Sequence, residues 1–102
     1  MFGFRIIRIN GESMAPSLPD GTYALFRITR NVQTDDTVLV DHPRFGLIVK
    51  DVSAISEAGL ELQGRDTRST PTDLLGVVTQ SRILGRLVWV LSKPQPPPML
   101  TT

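Results

Sequence analysis

The sequence of 102 residues contains no cysteine, one histidine (His42) and two lysines (Lys50 and Lys93), against nine arginines. Without cysteine there is no disulfide scaffold, no thiol nucleophile and no thiolate zinc site. One histidine cannot build a His-rich metal cage, and a Ser-His-Asp triad would hang on His42 alone. Eleven basic residues against ten acidic ones leave a net charge of +1, which makes no electrostatic case for nucleic acid. Long apolar runs are missing as well. Arg5 and Arg8 break up the first apolar stretch, where a signal peptide needs roughly 7–15 uninterrupted apolar residues. The run Leu87 to Leu91 falls far short of the roughly 20 residues of a membrane-spanning helix. The expectation is one small, soluble, cytoplasmic domain with a modest core.

The periodicity is that of strands. Phe4 to Ile9, Thr22 to Ile28, Thr37 to Val40, Leu47 to Ile55, Leu60 to Gln63, Leu74 to Val78 and Ile83 to Leu91 are short runs rich in β-branched and aromatic residues. Turn formers separate them: Pro19-Asp20-Gly21, Asp35-Asp36, His42-Pro43-Arg44-Phe45-Gly46 and Glu57-Ala58-Gly59. Gly85 marks a bend or bulge in the last run. Such spacing predicts a mainly β fold, a small coiled sheet or barrel with little helix beyond one turn over Met14 to Leu18. His42 reads as a turn residue, the arginines as solvated surface, and Trp89 as core or as an exposed anchor. Residues 1–93 form the expected domain. Residues 94–102, with Pro94, Pro96, Pro97 and Pro98, read as a disordered proline-rich tail.

Two stretches can carry chemistry. In Gly11-Glu12-Ser13-Met14-Ala15-Pro16-Ser17-Leu18 a serine follows a glycine bend at the end of a strand. Such a bend exposes a hydroxyl and frees backbone N–H groups that can bind an oxyanion. Taken alone, it is also what an ordinary turn serine looks like. In Gly46-Leu47-Ile48-Val49-Lys50-Asp51-Val52 a lysine interrupts an apolar strand. Alternation places Lys50 on one face with Ile48, Val52 and Ala54, and Asp51 on the other with Leu47, Val49 and Ser53. A lysine among aliphatic side chains loses hydration, which disfavours its charged form. The competing reading is an edge-strand lysine whose ammonium reaches water. Joined, the two stretches describe a Ser-Lys dyad, with a neutral lysine as general base toward the serine. Neutrality near pH 7 requires a shift of roughly three units, about 4 kcal/mol, which burial can supply.

These residues resemble a known family. The Ser13 stretch is similar to the G-x-S-M-x-P-[ST]-L box of type I signal peptidases and their soluble relatives, the Ser-Lys peptidases of the S24 and S26 kind. Asp36-Thr37-Val38-Leu39-Val40 resembles a G-D-x-V-x-V box, and Ile48-Val49-Lys50-Asp51-Val52 the I-V-K-R-V box of the catalytic lysine. Gly64-Arg65-Asp66-Thr67-Arg68-Ser69-Thr70 looks like a degraded G-D-N…S box. Gly76-Val77-Val78, then Ile83 to Trp89, resembles the closing segment. The boxes run in family order over nearly the whole chain. The resemblance implies Ser13 as nucleophile, Lys50 as general base and Ser69 as the serine that orients the lysine. It also implies an oxyanion hole of backbone donors around Gly11 and Ser13, with Met14 and Pro16 shaping the bend. No metal or cofactor is implied. The chain departs from the pattern at Asp51, where arginine is usual, and at Asp35, where glycine is usual. It departs again at Pro71-Thr72-Asp73, which replaces a D-S-R sequence. Aspartate tolerates left-handed backbone better than most residues, so the turn at Asp35 is expected to survive.

The short form without an anchor looks like the small proteases that mature nickel-type superoxide dismutase. This implies removal of an N-terminal propeptide or signal-like segment from a precursor protein in trans. Two alternatives stand beside it. One is a self-cleaving regulatory domain like the C-terminal domains of SOS repressors. The other is an inactive β module that binds a peptide along a strand edge.

Overall fold

The β-branched and aromatic runs form strands in the computed structural model, which describes residues 3–10, 18, 20–65 and 75–91. The strands are β1 (Phe4–Arg8), β2 (Tyr23–Ile28), β3 (Thr37–His42), β4 (Gly46–Ser56), β5 (Gly59–Gln63), β6 (Val77–Val78) and β7 (Ile83–Val90). A 3-10 turn, Gln80–Arg82, leads into β7. The expected helical turn over Met14 to Leu18 and the tail over 94–102 lie outside the described residues.

All seven strands join one antiparallel sheet in the order β1-β2-β7-β3-β4-β5-β6, curled into a half-barrel. Hairpins explain β1-β2, β3-β4 and β4-β5. The exception is β7, which inserts between β2 and β3. It thereby joins the hairpin that brackets Ser13 to the hairpin that carries Lys50. Gly85 sits at this joint, opposite Ile28 on one side and Leu39 on the other. A Cβ there would lie 2.8 Å from the Arg27 carbonyl oxygen and 3.2 Å from the Phe26 Cβ. Gly85 therefore answers a close approach of strands. The register slips beside it, between Leu39 and Val40.

β3 is buried on both faces, and two apolar clusters divide there. On one face Val38 and Val40 pack with Val32, Val52, Leu60, Leu62, Leu75, Val78 and Ile83. On the other, Leu39 packs with Ile9, Leu18, Ala24 and Phe26. Asp35 adopts φ 76°, in the left-handed region expected of it, and its N–H bonds the Val52 carbonyl at 2.8 Å. The turn therefore keeps its geometry without glycine.

Two expectations need correction, and for Trp89 one of two alternatives is decided. His42 ends β3 and is buried; it does not sit in the turn. Its Nδ1 accepts the backbone N–H groups of Arg44 (3.0 Å) and Phe45 (3.3 Å), so the ring proton lies on Nε2, which donates to the Leu75 carbonyl at 2.7 Å. Both nitrogens are thus spent on structure. Trp89 is 67% exposed and belongs to no core cluster; it stands opposite Leu25 in the row that continues to Ile6. Finally, a bulge between Val52 and Ala54 ends the simple alternation on β4. Ala54 faces Glu61 and Ile55 faces Leu60, so Ala54 leaves the face of Lys50. The Ser53 hydroxyl turns to Glu61, donating toward its carbonyl at 3.1 Å and its carboxylate at 3.0 Å.

Thr22 precedes β2 and is buried, and its Oγ1 meets no hydrogen-bond partner among the described residues. A buried hydroxyl left unpaired costs about 1–3 kcal/mol. The isosteric Thr22→Val is expected to raise unfolding free energy by about 1 kcal/mol in urea melts. A loss of stability would instead reveal a partner for the hydroxyl.

Candidate active site

Lys50 lies in the middle of β4, and β4 is an interior strand, flanked by β3 and β5. This removes the edge-strand reading. Its partner across the ladder is Val38, and its neighbours along the same face are Ile48 and Val52. Val38 and Val52 are fully buried, and Lys50 itself is only 3% exposed. Among the described residues none gives it a hydrogen bond or an ion pair. Removal from water, with no carboxylate in compensation, pushes its pKa below the ordinary lysine range. An amine held in this way can accept a proton.

Gly11, Ser13, Met14 and Ser69 lie outside the described residues, as does Pro16. The residues that flank them are held by the sheet and the core. Before the serine stretch, the Ile9 N–H bonds the Thr22 carbonyl at 2.7 Å and its carbonyl receives the Gly21 N–H at 2.8 Å. After it, Leu18 is buried in the same cluster as Ile9, Ala24, Phe26 and Leu39. Before the Ser69 stretch stands Arg65; after it stands Leu75, whose carbonyl is held by His42.

Arg65 is a residue that sequence reasoning passed over as solvated surface. Its Nε donates to Asp51 Oδ2 at 2.6 Å and its Nη2 to Asp51 Oδ1 at 2.9 Å, a bidentate pair. The same Nη2 donates to the Thr37 hydroxyl at 3.0 Å, which in turn donates to Asp51 Oδ1 at 2.6 Å. Asp51 leaves β4 on the face opposite Lys50, as alternation predicts, and stands across from Thr37. A signal for this pair was present. The box pattern has arginine after the lysine and aspartate after the glycine; here the signs at both positions are reversed, as Asp51 and Arg65.

A family model described as Peptidase S24-like matches residues 4–88. The chain belongs to this peptidase family. No curated protein and no solved structure matches it. The match spans all the strands but the last two residues of β7, and it takes in both the Ser13 and the Lys50 boxes. Membership in the Peptidase S24-like family implies a protein substrate. No helix among the described residues is long and apolar enough to cross a membrane.

Proposed function

We propose that the protein is a serine endopeptidase with a Ser13-Lys50 dyad, of the signal-peptidase-like type, that removes an N-terminal segment from a precursor protein. The observation that supports this most directly is Lys50: an amine on an interior strand, buried among aliphatic side chains and without a counter-charge among the described residues. Nothing in a structural role requires a lysine there, because burying an unpaired cation is costly. An amine that serves as general base, in contrast, has to be uncharged before it can act.

The mechanism follows from that placement. The Ser13 hydroxyl attacks the scissile carbonyl while Lys50 takes its proton. The oxygen becomes an oxyanion held by backbone N–H donors of the Gly11–Ser13 bend. Collapse of the tetrahedral intermediate expels the amine, which receives the proton from the Lys50 ammonium. Water then hydrolyses the acyl-enzyme, with Lys50 again as base. Ser69 orients the amine of Lys50 in this reading. In this reading the protein acts in the cytoplasm, on a precursor such as that of a nickel-type superoxide dismutase.

The test is incubation with that precursor, with the new N-terminus read by mass spectrometry. Wild type is expected to produce one defined cut, and Ser13→Ala none. An intact precursor with wild type excludes this substrate. A second reading, self-cleavage, draws on the S24-like family match. It predicts that the purified chain alone shortens by a defined segment at alkaline pH, in a Ser13-dependent way.

A further inference from the structure

An acid next to a lysine that must lose its proton is a chemical conflict. Asp51 follows Lys50 directly, and its carboxylate is only 13% exposed, so solvent screens it poorly. A negative charge nearby favours the ammonium form of a lysine. Adjacent strand residues point to opposite faces, which puts the two charged groups about 10 Å apart. At an effective dielectric constant near 20, a unit charge at that distance moves a titration by about one pH unit.

Arg65 stands where it removes this conflict. Its two-point contact with Asp51 is supplemented by the shared Thr37 hydroxyl, so the cation is fixed against the carboxylate. We propose that Arg65 is a positioning residue that preserves the proton-accepting state of Lys50 by cancelling the field of the adjacent Asp51 carboxylate. The reversed signs at positions 51 and 65 are then one compensated change. An acid beside the base is tolerated because its cation arrives from the next box along the chain.

Among the described residues, the groups packed nearest to Lys50 are otherwise uncharged. From β3 it faces Val38, and from β5 the neighbouring ladder positions are Leu62 and Gln63, all uncharged. Arg86 on β7 lies beyond, opposite Val38. Asp36, just before β3, accepts the Gln33 N–H at 2.8 Å. Asp66, Arg68 and Asp73 lie outside the described residues.

The inference rests on Lys50 acting as the base, and its test does not depend on cleavage. Only two lysines are present, so Lys93→Arg leaves Lys50 as the sole side-chain lysine signal. In that background, NMR of protein with carbon-13 at the lysine Cε gives the Lys50 titration midpoint. Arg65→Gln is expected to raise it by about half to one pH unit. The double variant Asp51→Asn/Arg65→Gln should return it close to the parent, and Arg65→Lys should hold it there. The proposal is overturned if Arg65→Gln leaves the midpoint unmoved, or if the double variant stays as high as the single one. A parent midpoint in the ordinary lysine range would remove the base assignment itself; the shift between variants decides the coupling in either case. Where a cleaved precursor is in hand, the acid limb of the rate profile should move with the midpoint.

Discussion

Replacing Lys50 with methionine should abolish cleavage and make the protein more stable. Loss of a general base alone costs about a hundred- to ten-thousandfold in rate, and here the same amine must also activate the nucleophile, so residual activity should be at the low end. Stability moves the other way. Lys50 is buried on the apolar face between Ile48 and Val52 with no counter-charge among the described residues, and methionine fills a similar volume without an ammonium to desolvate. A gain of about 1–3 kcal/mol is expected in denaturant unfolding at neutral pH. The pH dependence provides an independent check. Burial lowers the Lys50 pKa in the folded state, so the unfolded chain binds more protons and wild-type stability rises with pH through the interval between the folded and unfolded values. Below the folded value the penalty is carried in full; above the unfolded value it is gone. The advantage of Lys50→Met should therefore shrink as pH rises through that window, while wild-type activity climbs as the amine deprotonates. A methionine variant that is less stable than wild type would mean that Lys50 serves the fold.

A large loss of stability is expected at Gly85. A side chain there meets the Arg27 carbonyl oxygen and the Phe26 Cβ, in the one strand that binds both halves of the sheet. Neither neighbour can move cheaply: Phe26 is fully buried, and the Arg27 carbonyl is backbone. Gly85→Val should cost about 3 kcal/mol or more, a drop in Tm of more than about 10 °C for a domain of this size. Since β7 separates β2 from β3, this variant should lose cleavage at temperatures where much of the chain is still structured. A Tm within about 2 °C of wild type would show that β2 and β7 can part without cost, contrary to the close approach seen here.

Much of the fold was legible along the chain. Each strand coincides with an apolar or β-branched run, because a residue's fitness for a pleated surface is local. The turn at Asp35 was legible for the same reason: left-handed geometry is a property of one residue. Pairing is not local. Nothing between Ile83 and Val90 announces that β7 inserts between β2 and β3, since both faces and both edges of that strand are chosen by the rest of the sheet. The bulge at Ser53 was hidden because period-2 alternation assumes an unbroken ladder, so Ala54 was placed on the wrong face. His42 was read from its neighbour Pro43, while its burial comes from Leu75, far away in sequence.

The site divides in the same way. Alternation separated Lys50 from Asp51 correctly, but it left two environments open for the lysine, an edge reaching water or an apolar interior. Strand order decides between them, and strand order is tertiary. Arg65 was missed because nine arginines spread along a chain look alike until one of them meets a carboxylate at two points.

The place of β7 also sets an order of events. The hairpin around Ser13 is made within the first third of the chain and that of Lys50 by its middle, yet they share no edge until residues 83–90 slot between them. Such far-separated pairings form late and slowly. A ribosome-bound chain that has emerged only as far as β5 therefore holds both chemical boxes and no joined sheet. For a member of a peptidase family, peptide-bond cleavage would become available only after β7 has closed the sheet.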